Sequence, residues 1–210
     1  MRPQLVGAAA LVGSALVVAA CGPGEVVMDC TPYASPEQLA ERPSPYDSVE
    51  VMVDSARIKV CYSRPYGNGR VIFGGLVPWD TLWRTGANEP TIIYLSHDAE
   101  IAGIPVERGK YSIYTVPSQT QWKVVVNAST GQWGQTRALP LPDGTMGESS
   151  YTPEVEAQEV GRAAIETRAV DFTEQFTAGF GETTRSFVEL WLDWEETRVV
   201  VPVRLLRGAQ

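Results

Sequence analysis

The seven residues "WRTGANE", at 83–89, crowd hydrogen-bonding side chains beside the apolar stretch "TIIYL" at 91–95. Arg84 carries a planar donor fork suited to a carboxylate. Thr85 and Asn88 add hydroxyl and amide contacts, and Trp83 adds an aromatic face. Arg64, Asn68 and Arg70 lie a short way upstream with Trp79, and Trp133 lies downstream. Two chemistries fit this set. As a ligand patch, Arg64, Arg70 and Arg84 grip a carboxylate while a tryptophan stacks on a sugar or an aromatic group. As a brace, the same side chains satisfy the backbone of a long loop laid across a β-domain. The brace is the preferred expectation, with Arg84 paired to Glu89, because a buried loop of this length needs such partners whatever else it does. Gly74, Gly75 and Gly86 are expected at positive φ in tight turns.

Catalytic chemistry has few carriers. The single histidine, His97, sits in "LSHDAE", and any Ser-His-Asp triad must use it. Ser63 and Ser96 are nominal nucleophiles, but neither lies in a nucleophile-elbow pattern. No Cys/His spacing suits zinc. Asp143, Glu148 and Glu195-Glu196 are too scattered for a calcium loop. No Gly-rich loop opens a helix to cradle phosphate. Glu89, Glu107, Glu189 and Glu195 are the carboxylates by which a glycosidase could work, but adjacent strand residues face opposite ways, so Glu195 and Glu196 do not act together. No catalytic residue, metal or cofactor is assigned. A hydrolase using carboxylates or Ser/His97 stays as an alternative.

The elements that must position the cluster read as strands. "VEVMV" and "RIKVCY" flank "DSA" as a hairpin. A Gly-rich connection of little period runs from Ser63 to Glu89. Then come "TIIYLS", "AEIAGIPV", "KYSIYTV" and "QWKVVVN", each bounded by Gly, Pro, Asn or Asp. "ALPLPDGTMGESS" reads as an exposed loop. "VGRAAIETRAV" has helical propensity but lies within a β series, so it is taken as strand. Val188, Leu190, Leu192 and Trp194 share one face, and Val199, Val201, Val203 and Leu205 alternate after them. Pro202 predicts an edge position for the last strand. Only "SPEQLAER" reads as helix, with Ser35 as N-cap, Pro36 at the first turn and Gln38 closing a capping box. The expectation is a mainly β chain, an antiparallel β-sandwich or flattened barrel. Its β-domain of about 160 residues is long enough to bury roughly 70% of its unfolded surface.

The N-terminus points to export. Arg2 precedes an uncharged run from Leu5 to Ala20, too short for a spanning helix and suited to a signal peptide. "LVVAAC" then resembles the lipobox of bacterial lipoproteins, which implies lipidation at Cys21, with a plain secretory signal as the alternative. Gly22 after that cysteine favours the outer membrane in a diderm bacterium, by the same resemblance. Cys30 and Cys61 remain. In an oxidising compartment they are expected to pair, closing a loop of about 30 residues worth roughly 3–4 kcal/mol; two free thiols are the alternative. The net charge of −8 argues against nucleic acid and anionic headgroups as partners.

The motifs "YSRP" (62–65), "GR" (69–70), "IFGGLVP" (72–78) and "WRTGANE" (83–89) together resemble the bacterial family DUF2911. "AGIPVERGKYSIYTVP", "WKVVVN", "QWG" and "LWLDWEETRV" extend the likeness over roughly 44–204. The resemblance implies a secreted, mostly β domain and no known catalytic residue. The chain therefore divides into a signal peptide (1–20), a lipidated tether with a short helix (21–43) and a β-domain (44–207). The expected role is membrane-anchored binding or envelope organisation, with an envelope protein or cell-wall glycan as possible partner. A glycan-binding module using Trp83, Trp133 and the Arg/Asn cluster is the first alternative.

Overall fold

A computed structural model describes residues 25–137, 139–140 and 146–206. The signal run, Cys21 and Asp143 lie outside the described residues. Eleven strands form among the described residues: β1 (Tyr46–Val53), β2 (Ala56–Ser63), β3 (Thr91–Leu95), β4 (Ala99–Ile101), β5 (Ile104–Val106), β6 (Gly109–Val116), β7 (Trp122–Asn127), β8 (Leu139–Pro140), β9 (Met146–Gly147), β10 (Glu159–Thr183) and β11 (Phe187–Leu205). Two short helices accompany them, α1 (Pro36–Ala40) and α2 (Pro153–Glu156). No helix among the described residues is long and apolar enough to cross a membrane.

Nine strands make one antiparallel sheet in the order β1-β2-β3-β6-β7-β10-β11-β4-β5, with β1 and β5 as open ends, so the barrel alternative does not form. β10 pairs with β7 up to Ile165 and with β11 from Glu166 onward. One long strand thus serves two layers, and the sheet folds over it. Tyr62 of β2 marks the closure: its ring meets Phe176 of β10 edge-on at 5.8 Å, and its hydroxyl accepts the Ala178 N–H at 3.0 Å. Between the layers lies one apolar core that includes Val60, Ile93, Ile113, Val124, Leu190 and Val201.

Every residue of β3 is buried, which explains why "TIIYL" reads as a continuous apolar run. Ile93 and Leu95 face the core. Ile92 and Tyr94 face outward, where Val26, Met28 and Cys30 of the N-terminal segment cover them. Cys30 and Cys61 form the expected disulfide, with Cα atoms 5.8 Å apart, and the Tyr94 hydroxyl donates to the Asp29 carbonyl at 2.9 Å. The segment from Val26 is therefore docked on the sheet rather than standing off from it.

The capping box of α1 forms as expected, with Ser35 and Gln38 exchanging side-chain and backbone bonds. α2 was not anticipated, although Thr152 as N-cap and Pro153 at the first turn signal it. "AEIAGIPV" is a hairpin rather than one strand, because Ala102 and Gly103 both take positive φ (50° and 82°). Pro202 does not lie on an edge strand. β11 is interior, and Pro202 falls in the gap where its ladder with β10 has ended at Val200 and its ladder with β4 begins at Val203. The parity change along β11 is a bulge: Glu195 sits at φ 52°, and opposing residues beyond it shift register. The buried Asp193 and the half-buried Arg198 bridge that bulge, Arg198 donating two bonds of 2.8 and 2.7 Å.

Candidate functional site

The loop from 64 to 90 crosses the end of the two layers and is pinned at several points. Arg64 reaches Asp47 at 3.1 Å, the Phe176 carbonyl at 3.3 Å and Thr177 Oγ1 at 3.0 Å. The backbone N–H of Asn68, at φ 52°, donates to Glu174 at 2.6 Å. Glu195 turns its carboxylate back from the bulge to accept the N–H groups of Ile72 and Phe73, at 2.9 and 3.4 Å. Gly74 and Gly86 take the expected positive φ, whereas Gly75 does not; a side chain there would strike the Val71 carbonyl.

Trp83 joins β6 through a two-bond bridge with Thr115, at 2.8 and 2.9 Å. Its buried indole stacks on Trp194 at 5.8 Å and donates to the Gly86 carbonyl at 3.1 Å. It therefore presents no surface platform with Trp133, which is half exposed and packs edge-on against Tyr33. Thr85 is fully buried at φ 57°, a conformation costing a β-branched residue about 1–3 kcal/mol. Its hydroxyl lies 3.1 Å from Thr115 Oγ1, and its carbonyl accepts the Thr91 hydroxyl. Asn88, at φ 59°, donates to Ser63 Oγ at 3.3 Å. These contacts tie Trp83, Thr85 and Asn88 into the domain.

Arg84 and Glu89 do not form the expected pair. The Glu89 carboxylate is taken by Arg42, at 2.9 and 2.8 Å, and by the Tyr33 N–H at 2.8 Å. Three residues of left-handed or glycine-like backbone, Thr85, Gly86 and Asn88, turn the chain between Arg84 and Glu89 and send the two side chains to different neighbours. Arg84 donates no side-chain hydrogen bond among the described residues, and its Nε–H is buried without an acceptor. Burial, with the charge of Arg137 added, lowers its pKa from the usual arginine range, yet a guanidinium stays protonated.

Arg84 opens on a pocket of about 330 Å³. Trp83, Trp194, Leu76 and Val77 supply apolar wall; Arg70, Arg84 and Arg137 supply three guanidinium groups. Among the described residues no Asp or Glu lines it. Arg70 donates to the carbonyls of Gly67 and Tyr66, at 2.9 and 2.8 Å, which hold it without neutralising it. Gly134 is what lets the Arg84 stem pass, since a Cβ there would collide with Arg84 Cδ and the Asn88 carbonyl. The "QWG" motif was the visible trace of this approach; nothing in the sequence singled out Arg137.

Of the alternative catalytic candidates, the described residues bring Ser96 and His97 together. Ser96 Oγ lies 2.9 Å from His97 Nδ1 in an open surface pocket that Asp98 also lines, and Asp98 accepts the Arg108 N–H at 2.8 Å. Ser63 is buried and bonded to Asn88. Glu89 is held by Arg42, Glu189 by Arg168 at 3.0 Å and Glu195 by the 72–73 backbone, and none of the three main pockets among the described residues brings two of the four candidate carboxylates together. Among the described residues no group of His, Cys, Asp or Glu is placed to hold a metal ion.

The class these features define is a mainly β-domain folded over one long strand, with an arginine-lined pocket at one end that no Asp or Glu lines among the described residues. The chain belongs to the family described as "Protein of unknown function (DUF2911)", whose family model matches residues 44–203. No curated protein and no solved structure matches it.

Proposed function

We propose that this chain is a lipid-anchored, extracytoplasmic binding protein that holds a small molecule in the Arg84 pocket and does no chemistry on it. The observation that carries the reading is Arg84 itself: a half-buried charged side chain whose Nε–H is buried with no acceptor among the described residues. Leaving such a group unsatisfied costs free energy that a purely structural loop has no reason to bear. A ligand would supply the missing acceptor. The disulfide fits an exported protein, and "LVVAAC" supports an anchor at Cys21. The outer membrane is the favoured location if the source is a diderm bacterium.

The test uses the full chain, extracted from membranes in detergent. Small-molecule fractions of cell extract are screened for a rise in melting temperature, in the parent and in Arg84→Met. A ligand at a hundred times its Kd stabilises by about 2.7 kcal/mol, or about 5–10 °C for a domain of this size. The reading expects at least one fraction to raise the parent and leave the variant unmoved. If no fraction acts, or if both proteins shift alike, the pocket reading fails. Separately, Cys21→Ser should leave the protein in the soluble fraction; a variant still labelled by fatty acid would remove the anchor.

A further inference from the structure

We infer that the ligand is a small oxyanion, a carboxylate or phosphate, carried on a flat apolar group. The inference rests on the pocket reading above and adds the chemical class. Three arginines line a space with no Asp or Glu in its lining among the described residues, in a chain whose net charge is −8. A cationic pocket in an acidic protein concentrates field on that one spot and favours an anion there over the rest of the surface. The donors are arginines, whose planar forks match the two oxygens of a carboxylate or phosphate face.

The geometry divides the work. Arg84 is the inner anchor, since its Nε–H is buried and has no acceptor among the described residues. Arg70 is held in place by two loop carbonyls and guards the opening, where its side chain is exposed. Trp83 and Trp194 are tied down by indole bonds to the Gly86 and Glu174 carbonyls, each 3.1 Å, so the apolar wall is rigid before a ligand arrives. A volume of about 330 Å³ suits one ring with a short substituent and lies at the small end of ligand cavities. A preformed wall and fixed donors reduce the ordering cost of binding.

The test is calorimetric titration of the full chain in neutral detergent with three probes of one shape: benzoate, phenyl phosphate and benzamide. At least one of the two anions should bind, weakening as salt is raised, and benzamide should bind at least tenfold more weakly. Arg84→Lys keeps the charge but loses the fork, and should weaken the anion by about ten- to hundredfold. Arg137→Gln, at the pocket wall and away from the strained turn, should also weaken it and guards against a folding defect in the first variant. Benzamide binding as tightly as both anions would overturn the oxyanion class while leaving a pocket. Anions that fail to bind while an extract fraction still stabilises the parent through Arg84 would overturn it equally. Failure of probes and extract together would remove both readings.

Discussion

Replacing Arg84 with methionine should make the protein more stable. Methionine keeps an unbranched stem of similar reach, so the packing of that stem against Gly134 is largely retained. What disappears is a buried Nε–H with no acceptor and a desolvated charge close to Arg137. An unsatisfied buried donor costs about 1–3 kcal/mol, so the variant should gain about that much. The outer nitrogens of the guanidinium open on the pocket and are left out of this figure. Net charge falls from −8 to −9, one charge more negative, an opposing effect that moderate salt screens. Urea unfolding of the disulfide-intact protein, followed by tryptophan fluorescence, measures the change. The midpoint should rise with the slope unaltered, and the melting temperature should rise by about 2–4 °C per kcal/mol. A binding residue that costs stability is the expected trade between function and fold. If Arg84→Met is less stable than the parent by about 1 kcal/mol or more at unchanged slope, then Arg84 supports the fold and the reasoning is wrong.

The same assay should give the opposite sign at Glu89. Glu89→Gln removes the carboxylate that holds the half-buried Arg42 and should cost about 1–3 kcal/mol; a change below about 0.5 kcal/mol would show that the N-terminal segment is not clamped there. Gly134→Ala should cost about 1–3 kcal/mol and abolish ligand-induced stabilisation, because its methyl meets a backbone carbonyl as well as the Arg84 stem. Full stability with intact binding in that variant would contradict the close approach. At high pH the fold should fail through its tyrosines. Burial pushes the Tyr114 phenol up to about 12, and raises Tyr46, Tyr62 and Tyr151 as well. A folded pKa above the unfolded value means that the stabilisation is complete below about pH 10 and is lost as pH climbs through the folded values. Phenolate absorbance should therefore appear together with loss of the β circular-dichroism signal; four phenols ionising near pH 10 in an intact fold would refute this.

What could be read in advance was local. The β1–β2 hairpin, the buried run of β3 and the capping box of α1 announce themselves within a few residues, because alternation and capping are short-range patterns. The strand assignment of "VGRAAIETRAV" also held against its helical propensity, since pairing with β7 and β11 outweighs a weak intrinsic preference. Non-local features were another matter. The position of Pro202 depends on where one ladder yields to the next, and β4 lies a hundred residues upstream. The partner of Glu89 is Arg42, 47 positions away, while Arg84, five positions away, is turned elsewhere by left-handed backbone at Thr85 and Asn88. The pocket was half visible: its arginines at 70 and 84 stood out by type, but Arg137 lies in a loop with no periodic signal.

The most direct measurement is of the Arg84 Nε–H itself. In a ¹⁵N-labelled protein its side-chain resonance is assigned by its absence in Arg84→Lys, and benzoate or phenyl phosphate is then titrated in. A filled pocket gives this buried proton the acceptor it lacks, so the resonance should move progressively and saturably, and its exchange with water should slow. Benzamide should leave it in place. An Nε–H resonance that stays fixed while the anions are raised to saturation of any other shifting signal would contradict the account at its centre.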